Sequence, residues 1–347
     1  GARAGVWIFG EEVEQLVAHR VVDQAWREEA QRAVAAIDNS GQRTNIPAAL
    51  AAATYDLASI DPAYRVSIVL LTDGKVDVAE SPMANASAAR NLLGKTAPEL
   101  GATGIPVHTI ALSDEADWMF LRSLAQATDG IAEKARSPVE LTSIYLQSLE
   151  MVAPAATVPV SNSSFQIDDS VEEFTVLVFF EAGEGGVKLY SPSGNAYGTA
   201  DGRAGAEWFY NEQFALVTVR EPEAGSWTLQ APGAGRTRVT VISDLQLEVD
   251  PMPNNLPAGR TAELGLRLRE AGQVIIDPEV MGLFALQVQI AGDDGFSRSI
   301  DVSGDYALPA DGEYRVTIPG FDQPGRYRVT ARLLGKTLER EMRMHVE

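Results

Sequence analysis

A change of hydrophobic periodicity near residue 153 constrains the fold of this 347-residue chain more than any other feature. Before it, apolar β-branched runs alternate with stretches of helical period, which is typical of βαβ units and a parallel sheet. After it, short alternating runs recur between Gly, Pro, Asn and Asp clusters, as in all-β sandwiches. Residues 153–159 have the composition of a linker. Because the β pattern restarts near residue 245, we predict three domains, over residues 1–152, 153–244 and 245–347.

Local signals place several elements of the first domain. Residues 65–71 form an apolar run of the kind buried on both faces of a parallel sheet, and residues 105–112 form a second. Asp23 is placed to cap a helix over residues 24–37, and Pro47 to begin one that reaches about residue 59. The predicted fold class is therefore a doubly wound α/β domain followed by two all-β sandwiches.

Composition excludes several functions. The chain has 28 basic and 48 acidic residues and a net charge of −20, so we expect no nucleic-acid partner. It has no cysteine, which excludes disulfides, thiolate metal sites and a cysteine nucleophile. No run approaches the roughly 18 apolar residues of a membrane span, so we expect no membrane insertion within this chain. The zinc-protease, Gly-x-Ser-x-Gly and phosphate-loop motifs are missing from the sequence, and we predict that the chain is not an enzyme.

Three stretches in the first domain carry a family resemblance. Residues 3–9 (Arg-Ala-Gly-Val-Trp-Ile-Phe) resemble the second strand of the von Willebrand factor type A domain. Residues 41–50 resemble its Gly-x-Thr-Asn loop and the helix that follows. Residues 69–74 resemble its central strand, which ends in Thr-Asp-Gly. The three stretches occur in the family's order and at its spacing, and the resemblance covers residues 1–152.

The resemblance implies a metal-ion-dependent adhesion site. In that family a Thr hydroxyl, an Asp carboxylate and an Asp-x-Ser-x-Ser loop hold Mg²⁺, and an acidic side chain of a protein partner completes the coordination. Thr44 and Asp73 match the first two positions, and Asn45 and Gly74 would shape the loops. Mn²⁺ or Ca²⁺ are alternatives to Mg²⁺. The first strand and its Asp-x-Ser-x-Ser loop have no match at the start of the chain. We expect them upstream of residue 1, the alternative being that the site is lost.

Simpler structural interpretations of the same residues stay open. Thr44 and Asn45 could only cap the helix that begins at Pro47. Asp73 and Gly74 could form an ordinary turn at a strand end.

The β segments carry weaker resemblances. Residues 187–194 and 222–229 resemble β-sandwich modules that follow type A domains in chloride-channel-accessory-like proteins. Residues 322–331 resemble a late strand of immunoglobulin-like or fibronectin-like sandwiches. Modular proteins of this kind imply a location outside the cytoplasm, in the periplasm or at the cell surface of a bacterium. A segment outside this chain would supply any membrane anchor.

Three functional hypotheses follow. The first is a non-enzymatic adhesion module that binds a protein through Mg²⁺. The second is a metal-independent structural scaffold of the cell envelope. The third is a non-catalytic region of a larger enzyme.

Overall fold

The computed structural model describes residues 2–35, 37, 41–55, 64–152, 154–180, 186–198 and 206–347. The chain divides into two compact units, an α/β unit (Gly1–Ser148) and a β unit (Leu149–Glu347). Within the described residues, no helix combines the length and the apolar character needed to cross a bilayer.

The α/β unit alternates strands and helices along the chain, as its hydrophobic pattern predicts. Asp23 accepts a hydrogen bond from the Trp26 amide at 2.8 Å, which confirms the predicted start of the first helix. The second helix ends at Ala53, where Thr54 is its C-cap, and so is shorter than predicted; residues 56–59 of that prediction lie outside the described residues. The elements are β1 (Arg3–Phe9), β2 (Val13–Val21), α1 (Gln24–Val34), α2 (Ile46–Ala53), β3 (Ile68–Thr72), α3 (Pro82–Asn91), a π-helical turn (Leu92–Thr96), α4 (Ala97–Ala102), β4 (Val107–Ala111), α5 (Trp118–Ala127), β5 (Ala132–Lys134) and α6 (Pro138–Val152).

The strands of the α/β unit form two sheets, which differs from the single doubly wound sheet that the pattern predicts. β3, β4 and β5 are parallel neighbours in that order, whereas β1 and β2 form an antiparallel pair. All five residues of β4 are buried, but only two of the five in β3 are. Within the described residues, β3 pairs only with β4 and β1 only with β2. The pattern predicts burial correctly for β4 but only in part for β3, and it does not show which strands are hydrogen-bonded neighbours.

One core brings three loops of the α/β unit together. Ile46 and Leu50 of α2 are almost fully buried and pack in one cluster with Leu70 of β3. Phe9, the last residue of β1, packs against the same cluster. Burial of each large aliphatic side chain contributes roughly 1.5–3 kcal/mol. The ends of β1 and β3 and the start of α2 are thereby fixed around a common apolar centre.

The β unit contains seventeen strands and two short helices among its described residues. Its elements are β6 (Thr157–Val158), β7 (Ser164–Ile167), β8 (Val171–Phe180), β9 (Lys188–Tyr190), β10 (Ala196–Gly198), β11 (Ala206–Tyr210), β12 (Phe214–Arg220), β13 (Gly225–Gln230), β14 (Ala234–Ser243), β15 (Leu245–Val249), β16 (Ala262–Glu270), β17 (Gln273–Val274), α7 (Pro278–Met281), β18 (Ala285–Gly292), β19 (Ser297–Asp301), α8 (Val302–Asp305), β20 (Glu313–Ile318), β21 (Tyr327–Leu334) and β22 (Glu339–Val346).

A nine-stranded sheet runs through the whole β unit, in the order β11-β12-β8-β14-β6-β22-β21-β18-β19. A four-stranded sheet (β10-β9-β13-β7) faces one half of it across a core that contains Trp227 and Phe174. A second sheet, of β15, β16, β17 and β20, faces the other half across a separate core. Each half is therefore a β-sandwich with its own apolar centre.

The two predicted sandwich domains, 153–244 and 245–347, belong to one compact unit. The reason is β6, which lies in the segment that we assigned to a linker. Thr157 pairs with Thr240 of β14 on one side and with Glu341 of β22 on the other. Thr157 and Val158 are 2% and 3% exposed. The linker interpretation is wrong for these two residues, because a two-residue strand is too short to show a period.

A buried ion pair also joins the two sandwiches. Arg340 of β22 has no exposed surface, and its Nη2 lies 2.7 Å from Oδ2 of Asp168, which connects β7 to β8. Asp168 also accepts a hydrogen bond from the Ser170 amide at 3.0 Å. Arg340 donates to the Ser170 hydroxyl at 3.3 Å and to the Glu339 carbonyl at 3.1 Å. Charged groups out of water are tolerated when they are paired in this way.

A buried histidine makes the α/β unit sensitive to acid. His108 of β4 is 1% exposed, and its Nδ1 accepts a hydrogen bond from the Ile131 amide at 3.3 Å. Burial lowers the pKa of His108 from 6.5 to about 4. The neutral ring is thus the form that the folded unit contains at neutral pH.

We expect the free energy of unfolding to fall as the pH drops from about 6.5 to 4, because the unfolded chain binds a proton at His108 more readily than the folded unit does. The full loss is about 3 kcal/mol and is complete below the folded-state pKa. His108→Asn keeps an acceptor for the Ile131 amide and cannot take up the proton. Urea titrations at pH 7, 5.5 and 4 should therefore show a smaller decline in the variant. Equal declines in both proteins would contradict this role of His108.

Candidate functional site

The loop before α2 is fixed to the segment that follows β3. Thr44 and Asp77 pair through their backbones, with an N–H···O distance of 3.1 Å in one direction and 3.0 Å in the other. The amide of Asn45 donates to the carbonyl of Gly10, just beyond β1, at 3.1 Å. The loops after β1 and β3 are therefore both hydrogen-bonded to Thr44 and Asn45, the two residues that precede α2.

Asp73 and Gly74 form the turn at the carboxyl end of β3. The Gly74 amide donates to the hydroxyl of Thr72, the last residue of the strand, at 3.2 Å. The Ser113 hydroxyl, from the segment after β4, donates to the Asp73 carbonyl at 2.9 Å. Because β3 and β4 are parallel, their carboxyl ends meet at one edge of the sheet. The turn is thus held at that edge through its backbone, and the exposed Asp73 side chain takes no part in holding it.

Thr44 lies directly beside this turn. A Cβ atom built on Gly74 would be 2.7 Å from the Thr44 hydroxyl oxygen, closer than real Cβ contacts allow. A larger residue at position 74 would therefore force Thr44 or the turn to shift. Two of the residues that the resemblance singles out, Thr44 and Gly74, are in contact, and Asp73 precedes Gly74 in the same turn.

Asn45 has a structural role in the loop. Its side-chain oxygen accepts a hydrogen bond from the Ala48 amide at 3.2 Å and so caps α2. Its side-chain nitrogen donates to the Glu11 carbonyl at 3.4 Å. The helix-capping interpretation holds for Asn45, whose side-chain oxygen already has a partner.

Two oxygen-bearing side chains at this edge lack a partner among the residues that the structure describes. Within the described part of the chain, neither the Thr44 hydroxyl nor the Asp73 carboxylate makes a hydrogen bond or an ion pair. Hydroxyl and carboxylate oxygens are ligands that Mg²⁺, Ca²⁺ and Mn²⁺ accept. They supply one negative charge, and a hard divalent ion would take further oxygens from water or from a partner. In the same described part, no group of three or more His, Cys, Asp and Glu residues is placed to hold a metal ion.

A polar pocket next to Thr44 escaped the sequence analysis. It has a volume of about 440 Å³, and its lining includes Arg43, Asp77, Glu80 and Asn85. One carboxylate oxygen of Asp77 accepts hydrogen bonds from Arg43 at 3.2 Å and from Asn85 at 2.8 Å. Arg43 also pairs with Glu11 at 3.2 Å. No local pattern distinguishes Asp77 from other acidic residues, because its partners come from distant parts of the chain.

The first sandwich is similar to a known domain family. A family model described as the hemicentin galactose-binding domain-like family matches residues 150–244. These residues contain the core around Trp227. No curated protein matches the chain.

Several solved structures are similar to this chain. A von Willebrand factor type A protein from Catenulispora acidiphila is 18% identical, with a TM-score of 0.36 over 79% of this chain and 55% of that one. The pilus adhesin SpaC from Lactobacillus rhamnosus GG, in its open conformation, is 9% identical, with a TM-score of 0.38 over 95% of this chain and 47% of the adhesin. The chain spans about half the length of each.

Proposed function

We propose that the α/β unit is the protein-binding module of a non-enzymatic adhesion protein that acts outside the cytoplasm and uses a divalent cation. The observation that supports the proposal is that the turn carrying Asp73 lies against Thr44 at one sheet edge, while neither side chain has a hydrogen-bond or ion-pair partner among the described residues. Thr44 comes from the loop before α2 and Asp73 from the turn after β3, and Gly74 leaves room for the Thr44 hydroxyl. The third hypothesis is that the chain is a non-catalytic region of a larger enzyme. No arrangement of side chains among the described residues supports it.

Each residue has a distinct part in the proposed site. The Asp73 carboxylate would supply the negative charge and the Thr44 hydroxyl a neutral oxygen ligand. Gly74 keeps the two segments close, and Asn45 fixes the loop by capping α2. A bound Mg²⁺ would supply a positive centre that accepts a carboxylate. An acidic side chain of a partner protein is therefore the group that we expect this site to bind, even though the chain itself is strongly acidic.

Mn²⁺ binding to the complete chain tests this proposal, with free Mn²⁺ followed by electron paramagnetic resonance and Mg²⁺ added as competitor. We expect Asp73→Asn and Thr44→Val each to weaken the tightest class of site by about tenfold or more, a change of about 1.4 kcal/mol. Thr44→Ser keeps the hydroxyl and should bind as the natural chain does. Asp305→Asn removes the same charge from an exposed position in the β unit and serves as the matched control. Unchanged binding in Asp73→Asn, or an equal loss in Asp305→Asn, would reject the site.

A metal-independent scaffold is the second candidate function. It is favoured by the small number of carboxylates at the sheet edge, since no group of three metal-binding side chains occurs within the described residues. The scaffold predicts the same melting temperature for the protein in EDTA and in Mg²⁺. The adhesion proposal predicts a higher melting temperature in Mg²⁺, because a ligand that binds only the folded state stabilises it.

A further inference from the structure

The outer face of the nine-stranded sheet carries an unusual set of side chains. Alternate residues of a strand point to opposite faces, and Val176, Val217 and Val239 point into the core of the first sandwich. The residues between them form rows on the other face. Phe214, Phe179 and Arg236 lie in register across β12, β8 and β14. A second row contains Phe209, Leu216, Leu177 and Arg238, from β11, β12, β8 and β14.

Phe179 is buried, but the other apolar side chains of these rows are open to solvent. Phe209 is 54% exposed, and Phe214, Leu216 and Leu177 are each partly exposed. The rings of Phe209 and Phe214 stack with their centroids 5.5 Å apart. A solvated face of an antiparallel sheet normally carries polar side chains. Contiguous apolar side chains at such a position mark an interaction surface.

The end of each row is cationic, and further arginines come from the second sandwich. Arg328 of β21 lies opposite His345 of β22, with Arg343 two residues before His345. Arg236 is exposed overall, but partial desolvation of its guanidinium, followed by repulsion from Arg343 and Arg328, lowers its pKa. Burial and repulsion from Arg343 lower the pKa of Arg238 to about 10. The arginines of the two sandwiches are thus close enough to repel one another.

These like charges are only partly neutralised by the protein itself. Arg343 pairs with Glu341 at 2.7 Å. Arg236 and Arg328 have no ion-pair or side-chain hydrogen-bond partner in the part of the chain that the structure describes. The whole chain nevertheless has a net charge of −20, so this concentration of positive charge is contrary to its composition. A partner of opposite charge would relieve the repulsion and be attracted to this site over the rest of the surface.

We propose that the arginine–phenylalanine face (Phe209, Phe214, Leu177, Leu216, Arg236 and Arg238) binds an acidic protein segment that also carries aromatic or aliphatic side chains. Carboxylates of that segment pair with the arginines, for which guanidinium–carboxylate geometry is well suited. Its apolar side chains cover the rows of Phe and Leu. The aliphatic surface of Leu177 and Leu216 favours a protein segment over an anionic polysaccharide, which has few apolar groups to place there. This surface lies in the β unit and is independent of the proposed metal site.

Fluorescence anisotropy of a labelled synthetic peptide tests the proposal on the complete chain. The probe is a peptide of about a dozen residues in which Glu alternates with Phe or Leu. A peptide of Glu and Ser with the same charge is the comparison, and heparin is a second one. We expect the apolar peptide to bind about tenfold more tightly than the Glu–Ser peptide. Equal binding of the two peptides, or tighter binding of heparin, would overturn the proposal, because the face would then be a general anion site.

Two variants with a matched control locate the binding. Arg236→Glu should weaken binding of the apolar peptide by about tenfold, and Phe209→Ser by about fivefold. Arg298→Glu makes the same charge change at an exposed position on the opposite face of the sheet and should have little effect. Arg236 and Phe209 are exposed, so the melting temperatures of their variants should match that of the natural chain. Unchanged binding in Arg236→Glu, or a dimer in light scattering that this variant abolishes, would show that the face has another role.

Discussion

Replacing Arg340 with methionine should lower the free energy of unfolding of the β unit by about 3–5 kcal/mol. Arg340 has no exposed surface, and its partner Asp168 is nearly buried. The substitution leaves the Asp168 carboxylate out of water with the Ser170 amide and hydroxyl as its remaining partners. An uncompensated buried charge is among the most destabilising changes in a protein interior.

Hydrogen exchange followed by mass spectrometry measures this effect in both sandwiches at once. Asp168 belongs to the first sandwich and Arg340 to the second, and the two sandwiches share the nine-stranded sheet. We therefore expect faster exchange in peptides from β8 and from β22 alike. Arg315→Met is the matched control, since Arg315 pairs with Asp311 in a half-exposed position where an ion pair adds little stability. Arg340→Met combined with Asp168→Asn should recover much of the loss, because no unpaired charge is left. Exchange that increases in β22 alone would contradict the coupling of the two sandwiches.

Replacing Trp227 with alanine should cost about 3–5 kcal/mol through the cavity that it leaves. Trp227 has no exposed surface, and its ring meets Phe174 edge-on with the centroids 4.9 Å apart. Its indole N–H donates to the Glu223 carbonyl at 2.8 Å. The ring therefore fills the centre of the first sandwich and also fixes the turn that precedes β13.

Urea unfolding monitored by circular dichroism measures the loss. Trp208→Ala is the matched control, because Trp208 lies in the edge strand β11 and is only partly buried. We expect it to cost about 1 kcal/mol. Trp227→Phe keeps the contact with Phe174 and loses the hydrogen bond, so its stability should be intermediate. Equal midpoints for the two alanine variants would show that Trp227 is not the centre of this core.

The sequence predicts the elements whose signals are local. The caps at Asp23 and Asn45 precede helices at the expected places, because a cap acts within three residues. β4 is recognised because all its residues are buried and apolar or β-branched, apart from His108. The helical period of residues 84–100 predicts a single helix, but the π-helical turn interrupts it, and there the Ala97 amide donates to the carbonyl of Leu92, five residues back. Pro98 follows without an N–H group, and one hydrophobic period does not reveal this shift.

Features that depend on distant partners could not be predicted in this way. The sharing of one sheet by both sandwiches depends on two residues of β6 and on Thr157 pairing with both Thr240 and Glu341. The ion pair between Asp168 and Arg340 joins residues far apart in the chain. At the candidate site, the resemblance singles out Thr44 and Asp73 from the sequence. Asp77 is recognised only from the structure, in which its backbone pairs with that of Thr44.

Diffraction from crystals of the complete chain grown with Mn²⁺ tests the central claim most directly, because anomalous scattering locates this ion without reference to any expected site. The account predicts one strong peak within about 2–2.5 Å of both the Thr44 hydroxyl and the Asp73 carboxylate, with water or a neighbouring carboxylate completing the coordination. A well-ordered edge of β3 with no peak there, or a dominant peak bound only to other residues, would contradict it.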